Sequence, residues 1–459
     1  MTTLHETALT ERLANYMATA LERGLPSEVA QKTGHHVLDT IAAMMSGSLL
    51  RPGLAARHFI ATLSERGEAS VAGSAIRTSA INAAWANGML AHADETDDSH
   101  APSLSHPGCG VVPAALAVAE RVGANGRDFL TAVALGYDIG TRVTQALTIR
   151  KFYVEGHKAT HAVAAAFGAA AAAAALCRLD EIQMRYVLSY AAQQSSGIAS
   201  WQRDPDHIEK AFVFGGMPAR NGVSAALMVQ AGFTGVANVF EGPDNYFEAY
   251  SPDGSRDELT AALGERYAMM HSNIKKWSVG SPVQAPLDAI VAFLESGGDR
   301  DQIAAIDVRV GTREAKVVDN RQMPEVCLQH LLAVLLVRRQ LTFDMCHNVA
   351  LMNDPMVLQE RSKINLIYDD DLERDLPKRR TIVTFKFKSG ESREIRIDAV
   401  RGTSDNPMTK QEVSDKAFDL IAPVAGHARA RQICDESLAL NQVEDMRRFA
   451  ANLQTGQIP

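Results

Sequence analysis

The sequence predicts a mainly α-helical protein in which a smaller α+β segment is inserted between two helical parts of the chain. Residues 1–270 contain alanine-rich stretches whose apolar side chains recur at helical spacing. After Lys276 the spacing changes to the period-two alternation of half-buried strands. From Thr409 the helical pattern returns and continues to Ala450. We therefore predict domain boundaries at 1–270, 271–403 and 404–459, with a ligand cleft between the helical body and the insert.

The helices of the first part follow from local patterns. In VLDTIAAMMSGSLL, apolar side chains from Val37 to Met45 share one face, and Gly47 can end the helix. The same signal predicts helices at 83–91, 111–122, 129–143, 162–176 and 182–194. The alanine run at 169–175 lets helix backbones approach closely, which indicates a buried helix packed among others.

The insert carries alternating strand patterns. Residues 306–310, 383–387 and 393–397 alternate apolar and polar side chains, and the turn at Ser389-Gly390-Glu391 joins the last two into a hairpin. Helical stretches are predicted at 329–337 and 343–351.

Composition excludes several classes of protein. The chain has 459 residues, 46% apolar residues, and 46 basic against 54 acidic residues, a net charge of -8. These are globular proportions, so disordered, collagen-like and coiled-coil proteins are excluded. The acidic balance argues against nucleic acid as a partner, but a local cluster of Lys and His could still bind an anionic small molecule.

We expect a soluble cytoplasmic protein with no membrane partner. Five cysteines without a CxxC pair indicate reduced thiols. The N-terminal segment 1–17 lacks the basic-then-apolar pattern of a signal peptide. The longest apolar run, 162–177, is shorter than the roughly 18 strongly apolar residues of a membrane span.

The densest polar segment lies between two predicted helices, where three His and three Asp occur in residues 92–106. Such residues make solvated, capped loops. They could equally form an active-site loop in which a histidine transfers protons and an aspartate orients it. A metal site is the third alternative, although no HxH or HExxH spacing is present.

Histidines also precede the alanine-rich helix. His157 and His161 lie at its start, where the positive end of the helix dipole favours a neutral imidazole that can act as a base. Alternatively, His161 is only a capping partner of the first turn.

Two basic segments could bind carboxylates or face the cleft. Lys210 precedes an apolar Phe-Val-Phe stretch and Arg220 begins the next helix, although Lys210 could instead pair with Glu209 on the surface. Lys275 and Lys276 lie at the change of composition, where they could face a cleft or solubilise a linker. A closing insert could bring in Asp319, Asn320, Arg321, Gln329 and His330.

Together these segments resemble the MmgE/PrpD family, which includes 2-methylcitrate dehydratase, cis-aconitate decarboxylase and iminodisuccinate epimerase. The resemblance runs from about His36 to Gly426 and rests on eight segments in order. They are VLDTIAAMMSGS; HADETDDSH with SHPGCGVVPAALAVAE; GYDIGTRV; FGAAAAAAALCRLD; SSGIASW; EKAFVFGGMPARNGVSAALMVQAGFTG with FEGPDNYFEAY; IKKWSVGSPVQAPLDAI; and SDNPMTKQEVSDKAFDLIAPVAG.

The resemblance implies a large all-helical domain formed by both chain ends, a small α+β lid domain and a homodimer. It also implies catalysis on small di- or tricarboxylates without a cofactor or metal. By motif, the catalytic residues would be His106, His157, Asp94, Lys210 and Lys275, with His161 competing for the role of His157. The substrate-binding residues would be Thr96, Ser99, His100, His161, Arg220, Lys276, Gln329 and His330.

The chain departs from better-known members in its loop and its lid. DETDDSH replaces the compact D-F-D-D-T form, so Thr96 or Ser99 would replace the usual threonine, and VCLQH replaces an A-R-F-S type lid segment. The shared chemistry is proton transfer at a carbon α to a carboxylate, with His106 or His157 as base and acid, and Asp94 orienting a histidine. The cationic clamp would be Lys210 and Lys275, with Arg220 as a further candidate.

We favour a 2-methylcitrate dehydratase-like lyase, with a cis-aconitate-type decarboxylase or an iminodisuccinate-type epimerase as alternatives. Outside this class stand a metal-dependent hydrolase built on His92, Asp94, Asp97 and His100, and a non-catalytic helical partner protein.

Overall fold

The computed structural model describes residues 8–63, 67–376 and 378–456, without the side chain of Arg150. The chain forms two compact units, one of Met1–Ser272 with Val413–Pro459 and one of Asn273–Glu412. The predicted mainly α class with a small α+β region is confirmed. Residues 1–7 of the segment examined for a signal peptide lie outside the described residues.

Helices build the first unit. They are Leu9–Ala18, Ala20–Arg23, Ser27–Gly47, Arg51–Ala61, Ala80–Ala91, Gly108–Val122, Gly126–Ala146, Thr160–Leu176, Glu181–Gln193, Ile208–Ala211, Met217–Gln230, Tyr246–Tyr250, Lys410–Ala425, His427–Leu438 and Met446–Asn452, where Lys410–Ala425 begins in the second unit. Two π-helical turns, Arg150–Glu155 and Phe212–Gly216, interrupt them. The two-residue strands are Ala69–Ser70, Arg77–Thr78, Ser99–His100 and Ser272–Asn273. All six helices predicted from periodicity in the first part are confirmed.

The alanine-rich helix Thr160–Leu176 forms the centre of this unit. Every residue in it is buried except His161. A Cβ atom on Gly168 would lie 2.6 Å from the carbonyl oxygen of Gly136 in the neighbouring helix, so the two backbones touch. Small side chains thus permit close packing, as the alanine run predicts.

The C-terminal segment completes the first unit. The Gly73 amide donates to the Leu453 carbonyl at 2.9 Å, and the Gly126 amide donates to the Val443 carbonyl at 2.8 Å. The predicted helical pattern of this segment is divided into three helices. The first break is at Gly426, whose φ of +78° is in the left-handed region.

The second unit contains a four-stranded sheet with the strand order Ile364–Asp369, Ile303–Gly311, Thr381–Phe387, Ser392–Ile397. The first two strands are parallel, and the other two pairings are antiparallel. The predicted hairpin and the strand at 306–310 are confirmed. The strand Ile364–Asp369 was not predicted, because its burial does not alternate along the chain.

Helices pack against this sheet through an apolar core. Phe293 stacks on Phe385 of the sheet with 4.2 Å between ring centroids. The helices of the unit are Gln284–Glu295, Thr312–Val318, Leu328–Arg338, Phe343–His347, Pro355–Arg361 and Asp370–Arg374. The helix predicted at 343–351 ends early, because Asn348 caps a separate 3₁₀ turn by accepting from the Ala350 amide.

All five cysteines are free thiols. Within the described residues, none of the helices combines the length and the apolar character that a bilayer crossing requires.

Candidate active site

The polar loop at 92–106 connects the helices Ala80–Ala91 and Gly108–Val122, and most of it is buried. Asp98 anchors it. One of its carboxylate oxygens accepts from His36 Nδ1 at 2.6 Å and from the Tyr137 hydroxyl at 2.5 Å, and the other accepts from the Gly108 amide at 3.0 Å. The alternative of a solvated loop is therefore wrong.

Two histidines share the carboxylate of Asp97. His92 Nδ1 donates to Oδ2 at 2.9 Å, and His106 Nδ1 donates to Oδ1 at 3.1 Å. Burial alone would raise the pKa of Asp97, but the two histidines outweigh burial and hold this pKa well below its usual value. Asp97 is therefore ionised and directs the Nδ1 proton of both rings toward itself. Proton exchange with a bound molecule would use His106 Nε2, and the His106 side chain is 12% exposed.

The aromatic ring at the centre of the cluster is Phe214. His161 stacks on it at 3.9 Å between ring centroids, and His92 stacks at 4.3 Å. The His106 ring lies edge-on at 5.5 Å. Phe214 belongs to the π-helical turn Phe212–Gly216, a kind of turn that is frequent at functional sites.

His161 joins this cluster, with its ring centroid 5.3 Å from that of His106. Its Nδ1 is buried and has no hydrogen-bond partner among the described residues. Burial, and next the charges of His106 and His92, lower the pKa of His161 well below its usual value, so the ring is neutral at pH 7. His157, in contrast, is exposed and has a φ of 53°. Of the two histidines that the sequence left open, the structure brings His161 to His106.

Lys210 also lies close to the Phe214 ring. Its ammonium forms an ion pair with Glu95 and lies 5.4 Å from the Phe214 centroid and 5.5 Å from that of Trp201. Glu209 instead accepts a hydrogen bond from Ser200 at 2.9 Å, so the surface pair of Lys210 with Glu209 is wrong.

A fourth histidine, His207, completes the cluster and was not predicted. Its ring centroid lies 5.3 Å from that of His92, and its φ of 62° is in the left-handed region. Burial, followed by the charge of Lys210, lowers the pKa of His207 well below its usual value. Its place in DPDHIEK, three residues before Lys210, is the signal that could have identified it.

Most of the predicted substrate-binding residues of the loop have internal roles. The amide and hydroxyl of Thr96 donate to Asp94 at 2.9 and 2.6 Å, and the Thr96 side chain is fully buried. The carboxylate shared by the histidines is thus Asp97, in the orienting role predicted for Asp94. His100 is buried and its Nδ1 lies 2.7 Å from the Ser103 hydroxyl, while Ser99 lies beside it in a short buried strand. Burial, and next His271, lower the pKa of His100 to about 3.

Arg220 is not brought to the cluster by any hydrogen bond among the described residues. Its guanidinium donates to Oδ1 of the adjacent Asn221 at 3.3 Å.

Four predicted site residues belong to the second unit. Lys275 is buried, and Lys276 lies 4.0 Å from Asp288. Gln329 is also buried and donates to Asp319 at 2.7 Å. His330 has no exposed surface, and neither of its ring nitrogens has a hydrogen-bond partner among the described residues.

One group of side chains could offer donor atoms to a metal ion. Among the described residues, His92, Asp97 and His106 have donor atoms within 4.8 Å of one another. The hydrogen bonds to Asp97 account for this spacing. The four metal ligands predicted for a hydrolase do not form one group. Asp94 accepts a hydrogen bond from Thr96, and His100 contacts Ser103.

Comparison with known proteins agrees with this architecture. Residues 11–258 match the MmgE/PrpD N-terminal domain, and residues 277–440 match the MmgE/PrpD C-terminal domain. A cis-aconitate decarboxylase-like protein, oryM, of Aspergillus oryzae is 25% identical over 96% of both chains. A cis-aconitate decarboxylase of Aspergillus terreus is 23% identical over 96% of this chain and 95% of its own. The two domain matches cover most of the sequence in the expected order, and the chain belongs to the MmgE/PrpD family.

Proposed function

We propose that this protein is a lyase that transfers a proton at a carbon α to a carboxylate of a small di- or tricarboxylate. One observation carries the proposal: the neutral His161 lies beside the His106–Asp97 pair and Lys210 within one cluster. The family membership and the names of the relatives support an enzyme of this general kind.

The cluster supplies both groups that this chemistry requires. A weakly acidic C–H needs a base that is unprotonated at the working pH, and His161 is such a base. His106 can act as the acid that donates a proton, because Asp97 stabilises its imidazolium form. Lys210 can bind a substrate carboxylate and oppose the charge that develops on it. Within the described residues, Glu95 is the carboxylate that pairs with Lys210.

We propose decarboxylation of a cis-aconitate-type alkene as the first reaction to test, because both named relatives carry that activity in their names. An imidazolium would protonate an alkene carbon, and the breaking C–C bond would supply the electrons of the new double bond as carbon dioxide leaves. Dehydration of 2-methylcitrate, which the family resemblance favours, would use the same groups to remove the α proton and protonate the leaving hydroxide. Epimerisation of iminodisuccinate would instead return the proton to the opposite face.

The proposal includes a cytoplasmic homodimer that needs no cofactor or metal. Turnover unaffected by EDTA is expected. Loss of turnover with EDTA and recovery with added Zn²⁺ would favour the metal-dependent alternative.

The test is proton exchange in deuterated water with cis-aconitate, 2-methylcitrate and iminodisuccinate as separate substrates, followed by proton NMR. Deuterium incorporation or a decarboxylated, dehydrated or epimerised product is expected with one of them. An absence of exchange and product with all three would overturn the substrate class.

A matched pair of variants connects the activity to the cluster. Lys210→Met removes the charge but keeps an unbranched side chain, and we expect a loss of about 100-fold in kcat/KM. Lys151→Met is the control, because Lys151 forms its ion pair with Asp253 on the surface. Equal activity of both variants would remove Lys210 from the site.

A further inference from the structure

A second lysine reaches the polar loop from the C-terminal part of the chain. Lys416 lies in the helix Lys410–Ala425 and donates to Asp39 Oδ1 at 2.6 Å and to the Thr96 carbonyl at 3.0 Å. The Lys416 and Asp39 side chains are only 7% and 1% exposed. This is a buried ion pair with one additional hydrogen bond to the loop.

The additional hydrogen bond acts next to the carboxylate of the cluster. Thr96 immediately precedes Asp97, and the peptide group between them carries the carbonyl that Lys416 binds. On the other side, Thr96 donates through its amide and hydroxyl to Asp94. Thr96 is thus held by Asp94 through its amide and hydroxyl and by Lys416 through its carbonyl, just before the residue that orients His92 and His106.

Stability alone does not explain this ion pair. Taking two charges out of water costs free energy that their attraction only partly offsets, and apolar replacements of such pairs are often neutral or stabilising. Asp39 Oδ2 is buried and has no hydrogen-bond partner among the described residues. Burial accordingly raises the pKa of Asp39 despite the opposing charge of Lys416. The feature that an apolar pair could not reproduce is the hydrogen bond to Thr96.

We propose that Lys416 is a positioning residue that holds the Thr96–Asp97 peptide in the geometry in which Asp97 orients His106. This inference rests on the proposed function, in which His106 transfers a proton. Asp39 serves as the counter-ion that keeps the lysine in place inside the first unit.

The deciding variant is the double substitution Asp39→Leu with Lys416→Met. It removes both charges together, so no unpaired charge is left buried, and it removes the hydrogen bond to Thr96. Asp39→Asn keeps Lys416 and its bond to Thr96. Lys410→Met is the matched control, because Lys410 is an exposed lysine in the same helix.

Three measurements are made on each variant: the thermal unfolding midpoint, kcat and KM, and hydrogen–deuterium exchange of the amides at 92–99. For the double variant we expect a midpoint close to that of the wild type, faster exchange in the loop and a fall in kcat of about 100-fold. Asp39→Asn should keep kcat within about threefold and lose thermal stability. Lys410→Met should match the wild type in all three.

Wild-type kcat or wild-type loop exchange in the folded double variant would overturn the inference. If that variant does not fold, Lys416→Met is compared with Asp39→Asn, and equal losses of kcat in the two would overturn it instead. If the wild-type protein is silent on all three substrates, the proposed function fails. The exchange experiment still decides whether Lys416 holds the loop, because it requires no substrate.

Discussion

His161 and His330 show how differently two histidines can contribute to the protein. His161 lies in an aromatic cluster with a cationic neighbour, and its lowered pKa leaves a neutral ring next to His106. His330 has no exposed surface in the second unit, and neither of its ring nitrogens has a hydrogen-bond partner among the described residues. The first ring lies among other histidines and a lysine, whereas the second has no hydrogen-bond partner in the described part of the chain and affects the protein through its buried ring and its lowered pKa.

Substituting the two candidate histidines separately tests which of them transfers the proton. We expect His161→Gln to lower kcat/KM by about 10²- to 10⁴-fold, because the base is lost. His157→Gln should stay within a few-fold of the wild type, since His157 is exposed outside the cluster. Steady-state kinetics measure both, with near-UV circular dichroism as the check on folding. The reverse order of losses would contradict the assignment of His161.

His330 makes the protein sensitive to acid. Burial, with a smaller contribution from Arg361, lowers the pKa of His330 from 6.5 to about 4. The unfolded chain therefore binds a proton more readily, so stability is fully present above pH 6.5 and is lost as the pH falls toward 4. Between pH 7 and pH 5 this loss amounts to about 2 kcal/mol.

Urea unfolding of His330→Leu at pH 7 and pH 5 measures this contribution. The variant should lose about 2 kcal/mol less than the wild type between the two pH values. His58→Leu is the control, because His58 is exposed. An unchanged pH dependence in His330→Leu would show that the pKa of His330 does not differ between the folded and the unfolded chain, and would contradict the lowered pKa.

At the scale of elements, the π-helical turn Phe212–Gly216 places Phe214 among the histidines. The turn touches the helix Ala80–Ala91, which ends next to His92. A Cβ atom on Gly88 would lie 2.5 Å from the Gly215 carbonyl oxygen, so the two backbones are in direct contact. His92, which directly follows this helix, stacks on Phe214 of the turn.

Gly215→Ala should therefore disturb both the fold and the site. The added Cβ would collide with the Gly88 carbonyl, and we expect a loss of about 1–3 kcal/mol in the free energy of unfolding, together with lower activity. Gly34→Ala is the matched control. Its Cβ would meet only the Ser437 carbonyl oxygen, at 3.7 Å, inside a helix, so we expect a gain of about 0.5–1 kcal/mol. Similar urea midpoints for the two variants would refute the close contact.

At the scale of the whole molecule, two features are the balance of charge around the cluster and the contribution of both chain ends to the first unit. The expectation of a small basic cluster within an acidic protein does not describe the first unit, because Glu95 pairs with Lys210 and Asp97 lies between two histidines. Chain order matters because the first unit needs both ends. Leu420, Ile421 and Ile433 of the C-terminal segment are buried in it.

A chain that ends at Glu412 should fail to form the first unit. It would lose the buried apolar side chains of the described segment 413–456 and the hydrogen bonds that Val443 and Leu453 accept. We expect aggregation and loss of the cooperative thermal transition, measured by near-UV circular dichroism and light scattering. Cooperative unfolding of the shortened chain at the wild-type temperature would contradict the composition of this unit.

The sequence by itself determined the elements and the segments that carry chemistry. Helices and alternating strands were predictable because their periodicity is local. The loop rich in His and Asp was evident from the sequence alone. The unpredicted strand Ile364–Asp369 shows the limit, because its pairing with Ile303–Gly311 depends on a neighbour distant in sequence. Family resemblance supplied the candidates His106 and Lys210, and it left His157 and His161 undecided.

Only the tertiary structure decided which side chains meet. Asp97 rather than Asp94 lies between two histidines, Glu95 rather than Glu209 pairs with Lys210, and Lys416 reaches the loop from the far end of the chain. Neighbours in a loop point in different directions that depend on backbone dihedrals and on distant packing partners. Spacing along the chain does not encode these directions. The two histidines also differ in burial, although both were candidates for the site. The His161 side chain is partly exposed, whereas His330 has no exposed surface.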